Sequence, residues 1–183
     1  MDELPPYIYF QTENPVIRAV VAELLRPGPF RDELDGVFGP PNDSTPPFTL
    51  YVGDMGNLEQ MNRNRPRNQR AQIDPNIGAG TVFSAKDGPV SMGGIYIDAD
   101  KLHAAVQQDS AQARELIRDA ILHELGHAVP VARARHTRAR TGDPDPRRGW
   151  MEVAGHPVIQ NENNLRGLLD LPAKNFYGLL GKR

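Results

Sequence analysis

The chain has 183 residues, a formal net charge of −2, no cysteine, and 17 proline and 17 glycine residues. That length suits one domain with a buried core. A mean hydropathy of −0.52, with no apolar run near the roughly 18–20 residues that cross a bilayer, excludes a membrane-spanning helix. Without cysteine, disulfides and thiolate ligands are excluded, so any zinc must be held by histidine and carboxylate.

The first residues, Met1 to Pro6, are acidic and proline-rich and do not read as a secretory signal. Ile8-Tyr9-Phe10 predicts a short strand. Asn14 predicts a helix cap with Pro15 at the first helical position, and Ile17, Val20, Val21, Leu24 and Leu25 form its buried stripe. Pro27-Gly28-Pro29 stops that helix. Residues 26–47 are expected to be loop, with Phe30, Leu34, Val37 and Phe38 packed down. Phe48 to Val52 predicts a strand ending at Gly53-Asp54. Residues 57–72 are polar and carry Arg63, Arg65, Arg67 and Arg70. No aromatic side chains are interleaved with them, so a solvated loop is expected and no nucleic-acid partner. Residues 80–84 and 94–98 predict two further strands, the second an edge onto which an extended substrate could add. Asp100 is expected to cap a short helix reaching Val106.

The most informative stretch follows: His123-Glu124-Leu125-Gly126-His127, late in a helical pattern over 109–129. Histidines four apart share a helix face, which sets two imidazoles where a tetrahedral Zn²⁺ can take both. Glu124 is rotated off that axis yet stays beside the metal, suited to act as general base on a zinc-bound water. Asp109 and Gln112 are spaced as a capping box, and Leu116, Ala120, Ile117 and Ile121 continue the pattern. Gly126 is expected to remove bulk near the metal, and Pro130 to end the helix. A basic loop, 132–150, carries six arginines against Asp143 and Asp145 and could steer acidic substrate segments. A last helix is expected over 164–170.

A catalytic zinc needs a third protein ligand and one open position. Pro130 and Arg133 stand where the metzincin pattern requires Gly and His, which excludes that class. The candidates are His136, Asp143, Glu152, His156 and Glu162. Glu152 lies in the otherwise apolar Trp150-Met151-Glu152-Val153-Ala154-Gly155, where a carboxylate needs a partner, so it is preferred. Glu162 follows, with a helix N-cap region as its expected setting.

The HELGH motif, the Glu152-containing segment, Glu162-Asn163-Asn164-Leu165-Arg166, Leu171-Pro172 and Lys174-Asn175-Phe176-Tyr177-Gly178 together resemble the NleD-like zinc metalloprotease effectors. These are bacterial toxins whose C-terminal half is similar to the clostridial neurotoxin catalytic core. The resemblance covers residues 93–178. It implies a downstream glutamate as third ligand, matched here by Glu152, and an Arg-x-x-Tyr pair supporting the transition state, matched by Lys174 and Tyr177. Glu152 stands three residues before Gly155 where the family has five. Lys174 replaces the arginine, keeping charge without the bidentate fork.

The fold expected is α+β: a minimal zincin with a small mixed sheet packed on the HELGH helix and a C-terminal helical part. The function expected is zinc-dependent cleavage of a protein substrate, with Zn²⁺ as cofactor. Glu124 serves as base and Tyr177 as oxyanion donor. By resemblance the protein would be secreted or injected into a target cell as a monomer, with an immunity protein or secretion chaperone as a further partner. The rivals are a binding module with a structural zinc closed by His136 or His156, and a zinc hydrolase acting on a non-peptide substrate.

Overall fold

Chain order gives β1 (Ile8–Phe10), α1 (Pro15–Leu24), α2 (Pro29–Phe38), β2 (Thr49–Asp54), α3 (Met55–Arg63), β3 (Ala79–Ser84), β4 (Met92–Ile97), α4 (Ala99–Ala104), α5 (Ser110–Ala134) and α6 (Pro157–Gly167). The computed structural model describes residues 4–39, 48–67, 78–84, 92–104, 110–134 and 157–174. The architecture is α+β. The strands form one mixed sheet in the order β1-β2-β4-β3, parallel from β1 through β4 and antiparallel where β3 meets β4.

Alternation along the strands sends one set of side chains to a helical layer. Leu50, Val52, Ile95 and Ile97 join Ile17, Val20, Val21 and Leu24 of α1, Phe30, Leu34, Val37 and Phe38 of α2, and Ile117, Ile121 and Leu125 of α5 in a continuous core. Burying each such side chain stabilises the fold by about 1.5–3 kcal/mol. On the opposite face the Tyr96 ring lies over Gly53 and Gly94; a Cβ at Gly94 would collide with it, and one at Gly53 would press on it at 3.1 Å. Among the described residues no helix is long and apolar enough to cross a membrane.

Several expectations need correction. Residues 29–38 are not loop but helix α2: Pro29 occupies an initial helical position, and Phe30, Leu34, Val37 and Phe38 recur at helical spacing. Residues 55–63 are likewise helical, started where Asn57 Oδ1 accepts the Asp54 amide at 2.9 Å. The cap of α4 is Asp98, whose carboxylate accepts the Lys101 amide at 2.9 Å, while Asp100 sits inside the first turn. β4 is no edge: β2 and β3 pair with it on either side, leaving β1 and β3 outermost among the described strands. Pro130 does not end α5. The helix runs on because Val131 and Ala132 are buried beyond the proline and Arg133 pairs with Glu33 of α2. The last helix begins at Pro157, so Glu162 is mid-helix and not at an N-cap.

Candidate metal centre

α5 carries the centre, and its 3.6-residue turn sorts the side chains by direction. Asp119, His123, Gly126 and Pro130 fall along the side that meets α6. His127 is turned partly away from α6, and Glu124 stands roughly 100° round from His123, toward β3. His123 and Glu124 are buried, His127 half-buried.

The two imidazoles meet edge to face, centroids 5.1 Å apart. Their Nε2 atoms converge to 3.3 Å. Two nitrogens bound at about 2.0–2.1 Å to one tetrahedral ion stand about 3.3–3.4 Å apart, a separation that this pair matches. On its other side, His123 Nδ1 lies 3.1 Å from Glu162 Oε2. A carboxylate can only accept, so the proton belongs on Nδ1 and the Nε2 lone pair is left facing His127. Glu162 therefore orients His123 from behind, on the side away from the Nε2 pair.

Glu162 is wholly buried and belongs to a charged cluster. Arg166 Nη1 lies 2.8 Å from Asp119 Oδ1 and 3.5 Å from Glu162 Oε1. Lys174 Nζ lies 3.1 Å from Asp119 Oδ2 and 3.6 Å from Glu162 Oε1. Two cations thus meet two carboxylates, as buried charges require. Burial raises the Asp119 carboxyl, but the Arg166 hydrogen bond and the Lys174 charge outweigh it and hold the group below its ordinary value. The segment carrying Lys174 is pinned by its backbone: Asn163 Nδ2 donates to the Lys174 carbonyl at 2.8 Å, and the Lys174 amide donates to Asn163 Oδ1 at 2.7 Å. Arg166 Nε also donates to the Pro172 carbonyl at 2.7 Å.

Glu124 is held from the other direction. Thr81 of β3 donates its hydroxyl to Glu124 Oε2, and the Thr81 hydroxyl oxygen also lies 3.3 Å from the Glu124 carbonyl. Gly126 lets α6 approach: a Cβ there would sit 2.8 Å from the Val158 carbonyl. Gly126→Ala should accordingly push α6 outward and cost about 1–3 kcal/mol. A urea melt of that variant with an unchanged midpoint would show the helices are not in such close contact.

The fold thus brings together His123, Glu124, His127, Glu162 and Lys174. Glu152, Asp143, His136, His156 and Tyr177 lie outside the described residues. Among the described residues no group of three or more ligating side chains is arranged to hold a metal, so the described share of a site is the histidine pair. Asp119, Thr81 and Asn161 were missed in the sequence. Asp119 had one legible signal, its position one turn before His123, and a threonine in a strand gives none. No protein-family profile, curated protein or solved structure matches the chain.

Proposed function

We propose that the protein is a zinc-dependent endopeptidase of minimal-zincin type. The observation that carries the reading is the Nε2 pair of His123 and His127 at 3.3 Å, with the far side of His123 closed by Glu162. His123 and His127 would hold the ion, with Glu152 as the preferred third ligand. Zinc held there supplies a Lewis acid that acidifies a water and polarises the scissile carbonyl.

The chain's own groups do the rest. Glu124 receives on its carboxylate the proton that the attacking water loses as its oxygen bonds to the carbonyl carbon. It then delivers that proton to the amine as the C–N bond breaks. Thr81 keeps the carboxylate aimed by occupying Oε2. Among the described residues no strand pairs with the outer edge of β3, which lies beside Glu124 and would suit an extended peptide that adds as a strand. Tyr177 is assigned to donate to the developing oxyanion. Lys174, paired with Asp119 and Glu162, acts through them on His123 and not on substrate. The resemblance over residues 93–178 supports an effector or toxin delivered into a target cell.

Purified protein should carry about one equivalent of zinc, and His123→Ala or His127→Ala should lose it, since a catalytic site has only about three protein ligands. Metal analysis after gel filtration decides this, and zinc retained at wild-type level in either variant defeats the reading. Exposure of cell lysate, followed by identification of new N-termini against a Glu124→Ala control, tests the peptidase assignment.

A further inference from the structure

We infer that Asn161 stands in for the backbone donor that Pro130 lacks, and that this bond seats α6 so that Glu162 meets His123. In an unbroken helix the carbonyl of residue 126 accepts the amide of residue 130. Residue 130 is proline, inside the 25-residue α5, and has no N–H to give. The Gly126 carbonyl, between His123 and Pro130, has therefore lost its i+4 intrahelical donor. The side-chain amide of Asn161 donates to that oxygen at 3.2 Å. A carbonyl only accepts, so Nδ2 and not Oδ1 must face it.

The surroundings make this bond a register pin and not an incidental contact. Gly126 has no side chain, and α6 comes so near that a Cβ would meet the Val158 carbonyl at 2.8 Å and the Glu162 amide at 3.3 Å. Glycine opens the seat, proline leaves an oxygen there wanting a donor, and α6 brings one. The next residue along is Glu162, which accepts His123 Nδ1 at 3.1 Å. Because the two residues are adjacent on α6, a slide of the helix that breaks the first contact also shifts the second. Asn161 is thus a positioning residue that touches neither metal nor substrate.

The effect on zinc rests on reading His123 as a ligand, whereas the bond itself is testable without metal. Pro130→Ala restores an N–H to the Gly126 carbonyl and should make Asn161 dispensable. The experiment compares wild type, Asn161→Ala, Pro130→Ala and the double variant, metal-free and with zinc. Asn161→Ala should lower the urea midpoint clearly in the wild-type background and little in Pro130→Ala, the non-additivity expected of groups sharing one partner. Its zinc dissociation constant, by chelator competition, should rise about tenfold, the low end for groups that orient a ligand. In the double variant that rise should shrink to within about twofold of Pro130→Ala. The ¹⁵N shifts of metal-free His123 should move away from the Nδ1–H form in Asn161→Ala and return in the double variant.

Equal losses in both backgrounds overturn the surrogate role. A lowered midpoint with unchanged His123 shifts and unchanged zinc affinity overturns the positioning role. If Asn161→Ala does not fold, the double variant must, and its failure overturns the inference as well. A wild type that binds no zinc defeats the peptidase reading alone, and the denaturation and ¹⁵N arms then decide.

Discussion

Glu124→Gln is expected to lower turnover by about 10²–10⁴-fold, the contribution of a positioned general base, with fold and zinc content retained. The amide is nearly isosteric and its oxygen can still accept the Thr81 hydroxyl, so the link between α5 and β3 survives. What it cannot do is take a proton from water. Glu124 is almost fully buried yet turned away from α6 and its cations, so Arg166 and Lys174 do not satisfy it. Its described partner is the uncharged Thr81 hydroxyl. Turnover is measured as the rate of appearance of new N-termini in lysate. A rate within tenfold of wild type in Glu124→Gln, with zinc intact, would assign the base elsewhere.

The motif that carries this expectation was legible because its geometry is local. Residues 123, 124 and 127 lie on one helix, and helical spacing alone fixes their mutual directions. Glu162 was misjudged because its value depends on α6 folding back against α5, a contact 39 residues away in sequence. Read locally, Asn161-Glu162-Asn163 resembles a cap. Only burial against His123 makes it a mid-helix acceptor. Helix α2 was missed for a different reason. Prolines were counted as loop signals, although Pro29 after Gly28 starts a helix whose buried positions the apolar pattern had already marked. At Pro130 the usual rule failed because tertiary contacts beyond the proline hold the last turn and Asn161 replaces the missing donor. β4 was expected at an edge because strand order depends on pairing between distant segments, which hydrophobic alternation does not encode.

The last expectation concerns Glu162, where stability and metal binding part company. Glu162→Ala removes one of two carboxylates facing Arg166 and Lys174, and the Arg166 side chain is only 5 % exposed. Arg166 keeps Asp119 and the Pro172 carbonyl, so the loss is expected to cost about 1–3 kcal/mol, read as a fall in the urea midpoint of metal-free protein. The same change deprives His123 Nδ1 of its acceptor, so zinc affinity should fall about 10–100-fold. Glu162→Gln separates the two possible roles of this side chain. If Glu162 acts behind His123, the glutamine oxygen still accepts the Nδ1 proton. Affinity then stays well above that of Glu162→Ala, although the lost charge still weakens the pairing with Arg166 and Lys174. If instead Glu162 bound zinc directly, the neutral amide would be a poor replacement for a carboxylate oxygen, and Glu162→Gln would lose metal almost as fully as Glu162→Ala. Chelator competition on the two variants ranks them directly. Equal losses would make Glu162 a ligand and require His123 to turn its other nitrogen to the metal, against the 3.1 Å contact from which its present orientation follows.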